Sequence, residues 1–231
     1  MRDNRNARLF MISVGFSVDL ILRSLLRHGI KDGDTIVLIY TVSGEEKEVK
    51  RALRTVEDLE NILGGLKSAI KLEKLEVSAK NFEEDVYRVY SYLVSKERKV
   101  DEVVAVLSGG MRLLMLEVLT ALALHQKYRG DKLEYIISLM REDGLYYLSL
   151  PLRLITDYSI SPSEKTLLIK IGEMKQIERI KLLSLLRESM PRSTFYETLR
   201  NLEEKGLIRE ENNKIMLTFT GRVLVKVLKG I

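Results

Sequence analysis

The chain has 231 residues, of which 45% are hydrophobic and 31% charged, a composition that predicts one or two folded domains and excludes a disordered chain. It contains no cysteine and only two histidines, so we expect no disulfide, no thiol nucleophile and no metal site. We find no apolar segment long enough for a signal sequence or a membrane span, and the protein is expected to be soluble and cytoplasmic.

The excess positive charge is concentrated in the last third of the chain. Residues 1–159 carry equal numbers of acidic and basic side chains, so the net charge of +5 belongs to residues 160–231. A solvated surface could have this charge, but it also favours a polyanionic partner for that segment.

Residues 1–150 alternate between short apolar runs and amphipathic stretches. The predicted strands are residues 9–14, 34–40, 72–77 and 101–107. The stretches between them repeat apolar residues every three or four positions, which predicts helices. The charged run from Glu45 to Arg51 falls on the other face of one of these helices, so we expect it to be solvated and give it no function. Because parallel strands need crossover helices, this order predicts an α/β fold with a doubly wound, mostly parallel, Rossmann-like sheet. Residues 135–140 and 145–150, joined through Glu142-Asp143-Gly144, predict an antiparallel hairpin at its edge.

The predicted helix from Met111 to His125 is apolar almost all round, broken mainly by Arg112, Glu117 and Thr120. A helix on the surface of a monomer would have a polar stripe, so this helix must be covered on a second side. More of the same chain or a second copy of the protein could supply that cover.

Two glycine-containing turns are predicted to meet at one edge of the sheet. Gly15-Phe16-Ser17 follows the first strand, where Ser17 can cap the next helix. Ser108-Gly109-Gly110-Met111-Arg112 follows the fourth strand, where the free N–H groups of the next helix favour an anion. In a doubly wound sheet these turns flank the topological switch point, where ligands usually bind.

Arg112 is the informative residue of the second turn. A cation in the first turn of a helix opposes the helix dipole, a small cost that a bound phosphate would offset. The alternative is a tight turn with a solvated Arg112. Neither turn has the spacing of a dinucleotide or P-loop motif, which disfavours redox cofactors and nucleotide hydrolysis. No Ser/His/Asp set is present, and His28 and His125 each end a predicted helix, so we predict no catalytic residue.

The last seventy residues have the order helix, helix, helix, hairpin, helix. Pro151 opens a connector, and Ser161-Pro162-Ser163-Glu164 is a helix-start signal, so we place a linker at residues 151–160 between domains 1–150 and 161–231. This order predicts a winged helix-turn-helix domain that binds DNA. A helical dimerisation module is the alternative.

The predicted recognition helix begins after Pro191 and buries a stripe of Phe195, Leu199 and Leu202. The polar residues off this stripe suit contacts with phosphates and base edges, and the hairpin tip would be the wing. The predicted DNA-binding residues are Arg192, Ser193, Thr194, Tyr196, Arg200, Asn212, Asn213 and Lys214.

Taken together, the chain resembles the archaeal CRISPR-associated transcription regulators that join a CRISPR-associated Rossmann-fold (CARF) domain to a MarR-like winged helix. The resemblance covers nearly the whole chain and rests on the order of elements and three motifs. These are Val-Gly-Phe at 14–16, Leu-Ser-Gly-Gly-Met-Arg at 107–112, and the run from Pro-Arg-Ser-Thr-Phe-Tyr to Lys-Gly-Leu-Ile at 191–208.

The resemblance implies a homodimer whose paired CARF domains bind a cyclic oligoadenylate, usually the four-membered ring, and whose winged helices bind a two-fold DNA site. It implies no other cofactor. The ligand-binding residues carried over by position are Gly15, Phe16, Ser17, Ser108, Gly109, Gly110, Met111 and Arg112, with Thr41 and Ser43 as candidates for base contacts.

The function implied is regulation of CRISPR-associated genes or arrays in antiviral defence, without enzymatic activity. Two alternatives remain open. Some CARF domains cleave their own ring by positioning a ribose 2′-hydroxyl, so the lack of a catalytic triad does not exclude a ring nuclease. In the other alternative, the Rossmann-like domain only dimerises and DNA binding is independent of any ligand.

Overall fold

The computed structural model describes residues 7–65, 70–108, 111–129, 133–156, 159–174, 176–187 and 189–229. The chain separates into two compact units, Met1–Leu152 and Arg153–Ile231. Across these described stretches, no helix combines the length and the apolar character that crossing a membrane requires.

The first unit alternates strands and helices in the predicted order. Its elements are β1 (Arg8–Ser13), α1 (Val18–His28), β2 (Thr35–Thr41), α2 (Glu46–Gly64), β3 (Lys71–Val77), α3 (Phe82–Lys96), β4 (Glu102–Val106), α4 (Arg112–Arg129), β5 (Glu134–Met140) and β6 (Tyr147–Pro151). The six strands form one sheet in the order β3-β2-β1-β4-β5-β6. All neighbours are parallel except β5 and β6, which confirms the Rossmann-like sheet and its antiparallel edge hairpin.

Strand β1 supplies the core on both faces of the sheet. Phe10 and Ile12 belong to a hydrophobic cluster with residues of α1 and α2. Leu9 and Met11 are also fully buried, and the two-residue period of a strand points them to the opposite face. A strand covered on both faces needs apolar side chains on each of them, which explains the continuous apolar run from Leu9 to Ile12 in β1.

The edge strand β3 has a different composition. Its sequence is Lys-Leu-Glu-Lys-Leu-Glu-Val, in which only Val77 is buried. On one face Glu73 pairs with Lys96 of α3 at 2.6 Å, and on the other Lys74 pairs with Glu60 of α2 at 3.1 Å. Charged side chains therefore connect this strand to a helix on each side.

A buried ion pair fixes the start of β1. Nη2 of Arg8 donates to Oδ2 of Asp34 at 2.6 Å, and its Nη1 donates to the carbonyl oxygen of His28 at 3.0 Å. Asp34 also accepts from the backbone N–H of Lys31 at 2.8 Å. The first strand is thereby tied to the end of α1 and to the turn before β2.

The second unit contains helices and a small sheet. Its elements are α5 (Arg153–Thr156), α6 (Pro162–Met174), β7 (Gln176–Glu178), α7 (Arg179–Leu186), α8 (Arg192–Glu204), β8 (Ile208–Glu211), β9 (Lys214–Leu217) and α9 (Phe219–Lys229). The helices and the β8–β9 hairpin follow the predicted order, but β7 was not predicted. It pairs antiparallel with β9, so the sheet order is β7-β9-β8.

Helix α6 begins with the predicted start signal. The hydroxyl of Ser161 accepts from the backbone N–H of Glu164 at 3.2 Å, and the carboxylate of Glu164 accepts from the N–H of Ser161 at 2.8 Å. This reciprocal pair is a capping box. Pro151, predicted to open the linker, instead ends β6, where it lies opposite Ile136.

Candidate functional site

The switch point of the sheet lies between β1 and β4, as predicted, because the chain runs outward from these neighbours in opposite directions. A shallow cavity, open to solvent, lies at the carboxyl ends of β1 and β2. Its lining residues are Val14, Gly15, Phe16, Thr41, Ser43, Glu48, Val49, Ala52 and Met111. The turns after β1, β2 and β4 thus share one concave site with the start of α2.

Half of the predicted ligand-binding residues line this cavity. They are Gly15, Phe16, Thr41, Ser43 and Met111. The ring of Phe16 is 39% exposed, and Val14, Val49 and Ala52 add apolar wall. Walls of this kind suit a flat aromatic group such as a nucleobase better than a phosphate.

The hydroxyls of Ser17 and Ser108 have structural partners. Ser17 caps α1, as predicted, by accepting from the backbone N–H of Leu20 at 3.5 Å. Ser108 accepts from the backbone N–H of Met140 at 3.0 Å and lies 3.2 Å from the hydroxyl of Ser24. Both serines therefore hold their turns in place, and their contacts with a ligand stay predictions.

Arg112 is the first residue of α4, in the first helical turn as predicted, and its side chain is exposed. It does not line the cavity, but Met111 beside it does. Its guanidinium makes no ion pair or hydrogen bond with any part of the chain that the structure describes, so its charge is available to a phosphate. The predicted contacts at Gly109 and Gly110 lie outside the described residues.

Thr41 holds the turn after β2. Its hydroxyl accepts from the backbone N–H of Ser43 at 3.1 Å and donates to the carbonyl oxygen of Ser78 at 3.1 Å. Ser78 in turn donates its hydroxyl to Asp85 of α3 at 2.7 Å. This chain of hydrogen bonds connects the cavity wall at Ser43 to the first turn of α3.

The sequence reasoning missed two charged residues at the cavity. It placed the run from Glu45 to Arg51 on a solvated helix face and gave it no function; Glu48 is exposed, as expected, but it also lines the cavity. The guanidinium carbon of Arg51 lies 4.6 Å from the centre of the Phe16 ring, a cation–π contact. The first turn of a helix that follows an inner parallel strand lies at the switch-point edge, and that topological signal could have identified Glu48.

The two histidines lie away from the cavity lining. His28 ends α1, as predicted, and its Nε2 lies 2.7 Å from the hydroxyl of Tyr147. His125 does not end its helix, because α4 continues to Arg129; its Nδ1 lies 2.6 Å from the hydroxyl of Tyr135. Burial lowers the pKa of both imidazoles. Among the described residues, no group of three or more acidic and histidine side chains could hold a metal ion.

Glu117 of α4 is a fully buried acid. Neither of its carboxyl oxygens has a hydrogen-bond partner within the described ranges. Burial, with a smaller contribution from the charge of Asp85, raises the pKa of Glu117 to about 7. This group is therefore partly protonated near neutral pH.

In the second unit, α8 buries the predicted stripe and exposes its polar residues. Phe195, Leu199 and Leu202 are buried. Arg192, Ser193, Tyr196 and Arg200 are exposed, and Thr194 is half-buried. The guanidinium of Arg200 pairs with Glu204 at 2.7 Å on the same helix.

The tip of the β8–β9 hairpin is a two-residue turn. Asn212 and Asn213 have φ angles of 52° and 61°, the left-handed geometry that such a turn requires and that asparagine tolerates. Both are exposed, as is Lys214 after them. The turn therefore presents two amides and a cation to solvent.

The sequence matches the Csa3 CRISPR-associated Rossmann-like domain over residues 8–137. No curated protein matches it. Among solved structures it is similar to VC1899 from Vibrio cholerae, with 12% identity and a TM-score of 0.43, over 94% of this chain and 64% of that one.

Two further structures are similar. One is Can2 from Sulfobacillus thermosulfidooxidans in complex with cyclic tetra-adenylate, with 9% identity and a TM-score of 0.42, over 94% of this chain and 63% of that one. The other is Enterococcus italicus Csm6 bound to cyclic hexa-2′-fluoro-hexa-dAMP, with 15% identity and a TM-score of 0.44, over 87% of this chain and 54% of that one. The chain spans less than two thirds of the length of each of these three proteins.

Proposed function

Because the chain belongs to the Csa3 family of CRISPR-associated Rossmann-like domains, we propose that it is a transcription regulator that responds to a cyclic oligoadenylate. The Rossmann-like unit binds the messenger at its switch point, and the C-terminal unit binds DNA as a winged helix. The observation that carries this proposal is the cavity, in which Gly15 and Phe16 after β1 meet Met111 after β4.

The charges around the cavity support a ligand with bases and phosphates. The aromatic and apolar walls accept a base. Arg112, which has no ion-pair partner among the described residues, stands at the start of α4, next to Met111. Arginine binds phosphate through charge-assisted hydrogen bonds. We therefore assign Arg112 as a phosphate clamp in this proposal.

Exposed apolar side chains on α4 support a homodimer. Leu113, Leu116, Leu124 and Tyr128 are between 36% and 68% exposed, although other apolar residues of the helix, such as Leu114 and Val118, are buried. Such a patch on a soluble protein is typical of an interface. A two-fold pairing through α4 would bring two cavities together around one ring, and a four-membered ring has matching symmetry.

The second unit supplies features that suit DNA. Helix α8 exposes Arg192, Tyr196 and Arg200, the hairpin tip exposes Asn212 and Lys214, and this part of the chain carries the excess positive charge. In a winged helix, these elements contact the major groove and the adjacent backbone. The proposed target is a two-fold DNA site at CRISPR-associated genes or arrays in the cytoplasm.

Calorimetric titration with cyclic oligoadenylates of several ring sizes tests the messenger site. We expect one ring per dimer and, for Arg112→Ala, binding weaker by about tenfold or more, because a charge-assisted hydrogen bond is lost. Arg129→Ala is the matched control, since it removes the same charge at the other end of α4. Its affinity for the ring should be unchanged.

Chromatography of the ring after titration separates the proposal from its alternatives. An intact ring agrees with a sensor. Conversion of the cyclic oligoadenylate to linear products during the incubation would instead identify a ring nuclease. If no ring of any size binds, the protein is a DNA-binding dimer without this messenger.

A further inference from the structure

Glu48 places a negative charge in a site proposed for a polyanion. It stands in the first turn of α2, lines the cavity, and its Oε2 lies 3.7 Å from the position that a Cβ on Gly44 would occupy. The carboxylate thus lies beside Gly44, in the loop between β2 and α2. It makes no ion pair or hydrogen bond with any side chain in the described ranges.

Its neighbour Glu46 differs in this respect. Glu46 belongs to the same helical turn and pairs with Lys50 at 2.5 Å. Both carboxylates interact favourably with the helix dipole and to a similar degree, so the dipole does not distinguish Glu48 from Glu46. The acceptor capacity of Glu48 remains free for a ligand.

The charge of Glu48 restricts what can lie beside it. A phosphate next to a carboxylate is repelled, so the ligand group there must be a hydrogen-bond donor. The wall around it consists of Phe16, Val14, Val49 and Ala52, which suits a base rather than a sugar hydroxyl. The donor on adenine is its 6-amino group.

We infer that Glu48 accepts a hydrogen bond from the 6-amino group of an adenine held in the cavity and acts as a specificity-determining residue. The inference rests on the proposed messenger site. In this arrangement Arg51 contacts the ring of Phe16, and Glu48 contacts the edge of the base.

The test measures ring binding by Glu48→Ala, with Glu46→Ala as the matched control. Each variant removes one exposed carboxylate from the first turn of α2 and changes repulsion of the phosphates to a similar degree. The rings are cyclic oligoadenylate, the same ring made of purine riboside, which lacks the 6-amino group, and a 2′-fluoro ring, which lacks the ribose hydroxyls.

We expect Glu48→Ala to weaken binding of the adenine ring and of the 2′-fluoro ring by about tenfold, the value of a hydrogen bond to a charged group. It should not weaken binding of the purine riboside ring. Glu46→Ala should bind all three rings as tightly as the wild type or slightly more tightly. Thermal melting of both variants checks that the fold is retained.

Several results would overturn the inference. Glu48→Ala could still weaken binding of the purine riboside ring but not of the 2′-fluoro ring, which would make a ribose hydroxyl the partner of Glu48. Equal affinities of Glu48→Ala and Glu46→Ala for each ring would attribute any effect to the removed charge and not to a hydrogen bond with adenine. If the wild type binds the adenine ring and Glu48→Ala binds it equally well, only the inference fails. If the wild type binds no ring, the proposed function fails with it.

Discussion

At the scale of single residues, Glu117 makes the stability of the first unit depend on pH. Its pKa is about 7 in the fold, above the usual value of 4.5, because the ionised carboxylate is buried without a partner among the described residues. The fold therefore favours the protonated acid. The stabilisation is complete below the unfolded pKa and is lost as the pH rises through 7.

We expect Glu117→Gln to remove this loss. In urea unfolding between pH 5 and pH 8, the variant should lose less stability toward pH 8 than the wild type, by an amount on the order of 3 kcal/mol. His28 and His125 act in the opposite direction, because their lowered pKa values disfavour acid pH, but they are common to both proteins.

Glu83→Gln is the control for this comparison, because Glu83 is an exposed acid on α3. Its pH profile should match that of the wild type. An identical pH dependence in Glu117→Gln and the wild type would contradict the assignment.

Residue roles at the site were only partly predictable from the sequence. The position of Gly15, Phe16 and Met111 at one cavity was predictable, because a switch point lies at turns that follow inner strands. The partners of the Ser108 hydroxyl, Met140 and Ser24, are distant in sequence, so no local pattern could indicate them. Glu48 was assigned to solvent because helical periodicity separates buried from exposed faces but does not locate a cavity at a helix end.

At the scale of elements, α8 is the segment on which the DNA proposal depends. Arg192→Ala should weaken binding to DNA and reduce the slope of log affinity against log salt by about one unit, because one phosphate contact is lost. Arg192 is the better choice than Arg200, whose charge is already paired with Glu204. The measurement is fluorescence anisotropy with labelled duplex DNA over a range of salt concentrations.

Arg98→Ala serves as the control, since Arg98 is an exposed arginine that follows α3 in the first unit. Its salt slope should equal that of the wild type. An unchanged slope for Arg192→Ala would move the DNA-binding surface away from the start of α8.

The elements themselves were largely predictable, and the exceptions have physical reasons. Inner strands such as β4 are uninterrupted apolar runs, and α8 has a clear buried stripe. Strand β7 has three residues with Ile177 as its buried member, too short for a period of two to be visible. Helix α4 extends to Arg129 because its polar last turn continues after the apolar pattern that defined the prediction.

At the scale of the whole molecule, the proposed regulator must show reciprocal coupling. If the ring alters affinity for DNA, DNA alters affinity for the ring by the same factor, typically about 5- to 150-fold where coupling exists. We expect the ring titrated against free protein and against protein saturated with a selected DNA site to give two different dissociation constants. One identical constant would remove the allosteric part of the proposal and leave two independent binding activities.

The doubly wound, mostly parallel sheet of the first unit was predictable, because alternating strands and helices with right-handed crossovers allow few arrangements. The turn at Glu142-Asp143-Gly144 then required β6 to return beside β5. The helix-start signal at Ser161-Pro162-Ser163-Glu164 likewise indicated where the helices of the C-terminal segment begin. What the sequence could not provide was the register of the strands, which depends on contacts between distant residues.

The charged strand β3 has a consequence for how copies of this protein can associate. A strand at the edge of a sheet exposes unpaired backbone groups that could join the edge of another molecule, and closely spaced lysines oppose such joining. Here Lys71 and Lys74 stand on the outermost strand, and Pro151, which has no N–H, ends the strand at the other edge. Growth of the sheet from one molecule into the next is disfavoured at both edges, so the proposed homodimer would have to pair through helices.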